Sequence, residues 1–212
     1  MSAILSSAPL LFEGALMTVY VSLLGVLVGV PIGILVLITG TLGTAGRLFT
    51  KIYVSYFRGV PLLVQLLVLF NFLPWIKFDI SATAAAVTAL GLITAAYVSE
   101  ILRGTLHSIP PGQSEAAAAL GYGPRATWQY ILLPQVIRLS IPALFNELTL
   151  LLKSSSLISV VGIAELTRVS QNIVATTFRP VEIYLVAAGI YIVMSQILLT
   201  AGRLLERHWA RR

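Results

Sequence analysis

Cysteine is absent from the 212 residues, and histidine occurs only as His107 and His208. The first absence excludes disulfides and thiolate metal sites, and the second leaves two distant rings without metal-ligand spacing. Charge is also scarce. Asp, Glu, Lys and Arg make up 10% of the chain, where a soluble domain carries about a quarter. Charge this sparse cannot cover a water-facing surface, whereas lipid requires none. A phosphate-binding loop is missing too: the lysines are Lys51, Lys77 and Lys153, and none follows a glycine. The Gly-x-x-x-x-Gly-Lys-Ser/Thr cradle therefore cannot form, and any ATP-driven work must enter through a partner.

What abounds is apolar surface, 58% of the residues. A membrane helix needs about 20 mainly apolar residues, and the sequence predicts five spans, at 14–38, 52–76, 82–106, 136–161 and 181–204. Pro61 and Arg58 interrupt the early part of the second. Residues 1–13 lack a basic n-region and the first apolar run is too long for an h-region, so 14–38 reads as a retained span. Residues 71–80 and 162–180 connect spans on one side. With the amino terminus outside, Arg47, Lys51, Arg103, Arg125, Arg138 and the tail arginines fall inside, against Lys77, Arg168 and Arg179 outside. This is the positive-inside pattern. The net charge of +6 then reflects topology rather than a nucleic-acid surface, and Arg203, Glu206, Arg207, His208, Arg211 and Arg212 form a cytoplasmic tail. An odd number of spans makes an inverted repeat hard to build within one chain.

The longest inner loop lies between the third and fourth spans, at 108–134. Pro110, Pro111 and Gly112 stop the preceding helix. Residues 113–120 read as a short helix of strong formers, with Ser114 able to cap it and Glu115 in its first turn. Gly121 suits the left-handed residue beyond its end. Gly123-Pro124 makes a turn, and a second short helix is predicted over 125–132, until Pro134. An ordinary alanine-rich loop could also hold Glu115-Ala116-Ala117. Gly121 and Ile131-Leu132-Leu133-Pro134 at their distances, in the longest inner loop, lift the pattern above that.

With these residues the loop resembles the EAA loop of binding-protein-dependent ABC importer permeases. The likeness covers nearly the whole chain and narrows to the polar amino-acid branch. It does so through Tyr56-Phe57-Arg58-Gly59-Val60-Pro61-Leu62-Leu63-Val64-Gln65, Ala96-Tyr97-Val98-Ser99-Glu100-Ile101-Leu102-Arg103-Gly104 and Ser108-Ile109-Pro110. Lys153-Ser154-Ser155-Ser156-Leu157 and Glu165-Leu166 extend it. One departure stands out: Lys-Asp-Thr-Ser is frequent in that branch where this chain has Lys153-Ser154-Ser155-Ser156, which removes a carboxylate beside Lys153.

The resemblance implies an all-α integral membrane protein, one permease domain over 1–212 with five transmembrane helices of the type I ABC importer permease fold. It implies a coupling elbow between spans three and four, in which Gln113, Glu115, Ala116, Ala117, Leu120, Gly121 and Pro134 are the expected ATPase-coupling residues. No cofactor is expected in this chain, ATP and Mg being held by a dimer of ABC ATPase subunits. The other implied partners are a second permease subunit (identical or related), an extracytoplasmic substrate-binding protein, an amino-acid substrate and the lipid of a bacterial inner membrane. The rival reading is a secondary carrier or channel needing no ATPase. It leaves the elbow unexplained and predicts uptake that survives without ATP and collapses with an ion gradient.

Charged groups inside spans are expensive and mark a pathway or a buried pair. Arg58, Glu100, Glu147 and Lys153 qualify, with Gln65, Asn146, Ser154, Ser155 and Ser156 as neutral company. Arg58, Gln65, Glu147, Lys153, Ser154 and Ser155 form the candidate substrate set. The Arg58 fork suits a carboxylate, and Glu147 suits an ammonium or a cationic side chain. Glu147 and Lys153, six residues apart, point in different directions and are not expected to pair. Equally, Arg58 and Glu100 can be structural, pairing with each other or with carbonyls near the inner span ends, and Lys153 can snorkel outward. Gly25, Gly29 and Gly33 form a small-xxx-small series for close helix packing, with a dimer interface as one option. Trp75, Tyr184 and Trp209 read as interfacial belt residues. Trp128 and Tyr130 either fill the ATPase contact or pack the elbow onto its own helices.

Overall fold

The long apolar run at the amino end forms a single helix, α1 (Ser2–Thr39), and the Ala- and Thr-rich run forms α4 (Ala82–Ser108). Their contact is the most extensive in the molecule, and its cause is the glycine series. A Cβ built at Gly25 would lie 2.9 Å from Leu90 Cβ, and one at Gly33 would lie 2.8 Å from the Ala95 carbonyl oxygen. Lipid supplies no hydrophobic drive for helices to associate, so small residues that admit close backbone approach decide the pairing. The glycines thus pack within the chain, and the dimer-interface option is corrected. The computed structural model describes residues 2–210, with side chains from residue 7 to 209. Arg211 and Arg212 of the predicted tail lie outside the described residues.

α1 begins well before the expected residue 14. Apolar residues continue upstream through Leu10, Leu11 and Phe12, and Glu13 lies on an exposed face where it interrupts nothing. The second span is the main correction. Instead of one helix over 52–76 there are two, α2 (Gly43–Gly59) and α3 (Leu62–Trp75), bent by 103°. Pro61 cannot donate a backbone hydrogen bond, and Val60 is extended, so the helix ends there. Gln65 stabilises the break: its Nε2 donates to the carbonyls of Phe57 (3.0 Å) and Val60 (2.7 Å), which the bend leaves without helical partners. At 14 residues, α3 rises about 21 Å, short of the ~30 Å hydrocarbon core. Four other helical stretches among the described residues, 7–39, 82–108, 124–161 and 180–209, are long and apolar enough to cross alone.

The elbow follows α4 as α5 (Gly112–Ala119) and α6 (Pro124–Thr127). It begins earlier than predicted, because Pro111 already has helical torsions. Ser114 lies inside the first turn and donates its N–H to the Pro111 carbonyl, so it caps nothing. Pro134 does not end the second short helix either. A wide π turn over Trp128–Leu132 runs directly into α7 (Leu133–Ser154), with Leu133 N–H reaching the Trp128 carbonyl. The proline sits in the first turn of α7, where its missing donor removes little. A 3-10 stretch, Ser155–Val161, follows.

Residues 162–180, expected as a connection, contain a further helix, α8 (Leu166–Thr177), before α9 (Pro180–Ala210). Glu165 caps α8, accepting from Arg168 N–H at 2.7 Å and Thr167 N–H at 2.9 Å. Tyr191 of α9 donates to the same carboxylate at 2.9 Å, and Leu166 N–H donates to Thr18 Oγ1 of α1 at 3.1 Å. Burial pushes the Glu165 carboxyl upward, while these hydrogen bonds pull the other way. One fully buried side chain thus ties α8 to α9, at the end of the spans opposite the elbow. Glu165→Ala should lower stability by about 1–2 kcal/mol through the lost cap. The check is the melting midpoint of the purified protein, with Glu165→Gln between the two.

The core forms where α1, α3, α4 and α7 converge, around Val21, Leu66, Leu90, Leu151 and Ile158. Trp75, at 77% exposure, and Tyr184, at 45%, stand outward as belt residues would.

Candidate functional site

Three prolines and a glycine chain of local events build the elbow. Pro110 and Pro111 turn the backbone out of α4, and the alanines then favour a helix by default. Gly121 ends it at φ +82°. Tyr122 N–H bonds to the Ala117 carbonyl and Gly121 N–H to the Ala118 carbonyl, each at 3.0 Å, which closes the terminus as a Schellman motif. Of the predicted coupling residues, Gln113, Glu115, Ala116, Leu120, Gly121 and Pro134 are exposed. Ala117 is not: at 1% exposure it faces the rest of the elbow, and α5 packs on α6 and the π turn. Leu120 is 77% exposed, with Tyr122, Trp128 and Tyr130 exposed too. An apolar, partly aromatic patch outside the spans is the kind of surface that marks a protein contact.

The polar residues of the spans separate into groups. Arg58 lies 3.5 Å from Glu100, and its guanidinium stacks 5.1 Å over the Tyr97 ring. Glu100 in turn takes two hydrogen bonds from Arg103, at 2.7 and 2.8 Å. The structural pairing of Arg58 with Glu100 is therefore realised, although a half-exposed guanidinium with five donors retains capacity. Gln65 is 2% exposed and committed to the α2–α3 break. Ser155 is fully buried and donates to the Leu152 carbonyl, Ser154 is half-buried, and Lys153 is exposed. Glu147 differs from all of these. It is 9% exposed on α7 and has no ion-pair partner among the described residues, Lys153 included, while the charge of Arg58 reaches it. A buried carboxylate without a cation is costly, so it is the residue best placed to await one.

Sequence reasoning missed the knot formed by Thr18, Glu165, Thr167 and Tyr191. Glu165 contributed to the family likeness but had no role, because no spacing rule links residues 18, 165 and 191. The only local signal was an acidic residue one position before α8, the ordinary sign of a helix start.

The family model described as "Binding-protein-dependent transport system inner membrane component" matches residues 25–211. The glutamine transport system permease protein GlnP of Escherichia coli (strain K12) is 37% identical over 209 residues, 97% of this chain and 95% of that one. The arginine transport system permease protein ArtQ of Bacillus subtilis (strain 168) is 36% identical over 210 residues, again 97% and 95%. A solved amino acid ABC transporter with histidines superposes with a TM-score of 0.92 at 36% identity, over 97% of this chain and 96% of that one. The inward-facing MetNI methionine ABC transporter, at 21% identity and a TM-score of 0.71 over 94% of each chain, shares the fold. Because the family match takes in α4, the elbow and α7 to α9 whole, this protein belongs to the inner-membrane components of binding-protein-dependent transport systems, as a permease subunit of an amino-acid ABC importer rather than an enzyme.

Proposed function

We propose that this permease moves a polar α-amino acid into the cell, driven by ATP hydrolysis on ABC ATPase subunits that grip the elbow. The observation carrying this reading is the short exposed helix α5 with Leu120, Trp128 and Tyr130 beside it, projecting where a neighbour can seat. The amino terminus lies outside and the elbow inside, following the basic-residue asymmetry. ATP and Mg reside in the ATPase subunits. A second permease copy, or a related chain, completes the membrane core, and an extracytoplasmic binding protein delivers substrate. Relatives named for glutamine and for arginine share only the α-ammonium and α-carboxylate among strongly polar groups, which supports the class and leaves the side chain open. ATP can bias the access state only by binding one state better than the other, and the elbow transmits that difference.

A panel of amino acids tested for stimulation of ATPase activity, in the reconstituted complex with its binding protein, identifies the substrate. Uptake that persisted without ATP and collapsed with an ion gradient would sink the importer reading in favour of a secondary carrier. Glu147 receives the substrate ammonium in this scheme. Glu147→Gln should raise the KM for uptake about fivefold, the difference between a charge-assisted and a neutral hydrogen bond. An unchanged KM with unchanged kcat removes Glu147 from the pathway.

A further inference from the structure

At the elbow end of the molecule, α1, α2 and α4 enclose a cavity of about 620 Å³ that the transport reading does not use. Leu37, Val54 and Leu106 give it apolar walls, while Arg47, Lys51, Arg103 and His107 ring it with basic groups. Arg47, Thr50, Lys51 and Val54 all point into it, the i, i+3, i+4, i+7 face of α2. The opposite side of α2 presents Leu48, Phe49, Ile52 and Tyr56, each about half exposed. A helix with a basic face, an apolar face and a 103° bend away from α3 suits the boundary between headgroups and acyl chains.

The cations are not all spoken for. Arg103 is held by Glu100, the only carboxylate in the lining. Arg47 makes one long bond, 3.4 Å, to the Gly43 carbonyl, and Lys51 has no ion-pair partner among the described residues. His107 lines the cavity and uses Nδ1 on the Arg103 carbonyl, so that bond does not occupy its Nε2. Balancing helix ends is the plainer explanation of such charges, and its size can be tested. The carboxyl ends of α1 and α4 each carry roughly half a negative charge, and Glu100 adds one. Against them stand three fixed cations, so the cavity keeps roughly one positive charge in excess.

We propose that this cavity binds an anionic phospholipid of the inner leaflet, its phosphate among Arg47, Lys51 and His107 and its acyl chains along the apolar walls of Leu37, Val54 and Leu106. Basic pockets between membrane helices on the cytoplasmic side favour such headgroups. A free phosphate would leave the apolar walls unoccupied, and the lipid covers them. The assignment rests on the elbow end being cytoplasmic, as the proposed topology has it.

The test is native mass spectrometry of the assembled complex with its ATPase, equilibrated with equal amounts of phosphatidylglycerol and phosphatidylcholine. Wild type is expected to retain phosphatidylglycerol preferentially. Removing both cations, Arg47→Gln with Lys51→Gln, should weaken that retention roughly thirtyfold, about fivefold per cation, and leave phosphatidylcholine unchanged. The exchange Arg47→Lys with Lys51→Arg should restore it. Equal retention of the two lipids by wild type overturns the proposal without any variant, and so does undiminished phosphatidylglycerol binding by the double glutamine variant. Displacement of the lipid by inorganic phosphate would make the site one for a soluble anion and overturn the lipid assignment. The topology is tested separately: Lys51→Cys that reacts with a membrane-impermeant maleimide in intact cells refutes the orientation, whereas retention in the purified complex does not depend on it.

Discussion

Gly121→Val is expected to cut ATP-driven uptake about 5- to 150-fold while the protein stays in the membrane, the span of typical coupling free energies. Gly121 holds φ +82°, and a Cβ there meets nothing of its own chain within 4 Å. Valine would therefore clash with no neighbour in this subunit. It would instead resist the left-handed torsion, at about 1–2 kcal/mol, and loosen the Tyr122–Ala117 and Gly121–Ala118 bonds that end α5. The turn would then re-aim α5 relative to the π turn and α7. Global folding should survive, since the change lies outside the spans. Gly121→Asn separates two causes, because asparagine accepts left-handed torsions. If the turn is what matters, asparagine retains most of the uptake. If the ATPase groove needs a bare backbone, asparagine fails with valine. Wild-type uptake and wild-type substrate-stimulated ATPase in Gly121→Val would remove the elbow from the coupling path.

The elbow was legible because its chemistry is local. Pro110, Pro111, the alanines and Gly121 each act on the torsions next to them, so reading them in order gives a break, a helix and a left-handed stop. The same reasoning failed at Pro134, where a π turn starting six residues earlier absorbs the ring, and at Ser114, where the helix begins sooner than its best capping residue. Spans one, three, four and five follow from apolar length alone. The α2–α3 break was half visible: Pro61 and Arg58 marked an interruption, but the 103° bend depends on Gln65 reaching back to α2. Helix α8 was hidden because its residues, Leu166 to Thr177, are half polar and carry no membrane signal.

Pairing of charges was the least legible layer. Arg58 and Glu100 are 42 positions apart by their numbers, and it is the packing of α2 against α4 that brings them together. Glu147 was singled out by cost, as a carboxylate in a span, and its lack of a cation among the described residues keeps that argument alive. The glycine series gave a correct physical use, close packing, and only the structure names the helix that it meets.

That contact supports the second large effect. Gly29→Leu is expected to destabilise the protein by more than the ~1–3 kcal/mol usual for an overpacked site. A Cβ at Gly29 would stand 2.6 Å from Thr94 Cβ and 2.7 Å from the Gly91 carbonyl oxygen. The first is anchored to its helix and the second is the helix backbone itself, so neither can step aside as a flexible side chain would. Relief requires α1 to move off α4, which also opens the contacts at Gly25 with Leu90 and at Gly33 with Ala95 and Val98. A gap of 0.5–1 Å already forfeits about a quarter to a half of each dispersion contact. In lipid no hydrophobic drive pulls the helices back together. The melting midpoint of the purified complex should drop sharply, and Gly29→Ala should fall between it and wild type. Gly189→Leu on α9, where a Cβ meets nothing within 4 Å, is the matched control and should melt close to wild type. If Gly29→Leu melts with that control, the α1–α4 approach is not what holds the bundle, and the small residues must answer to a neighbour outside this chain.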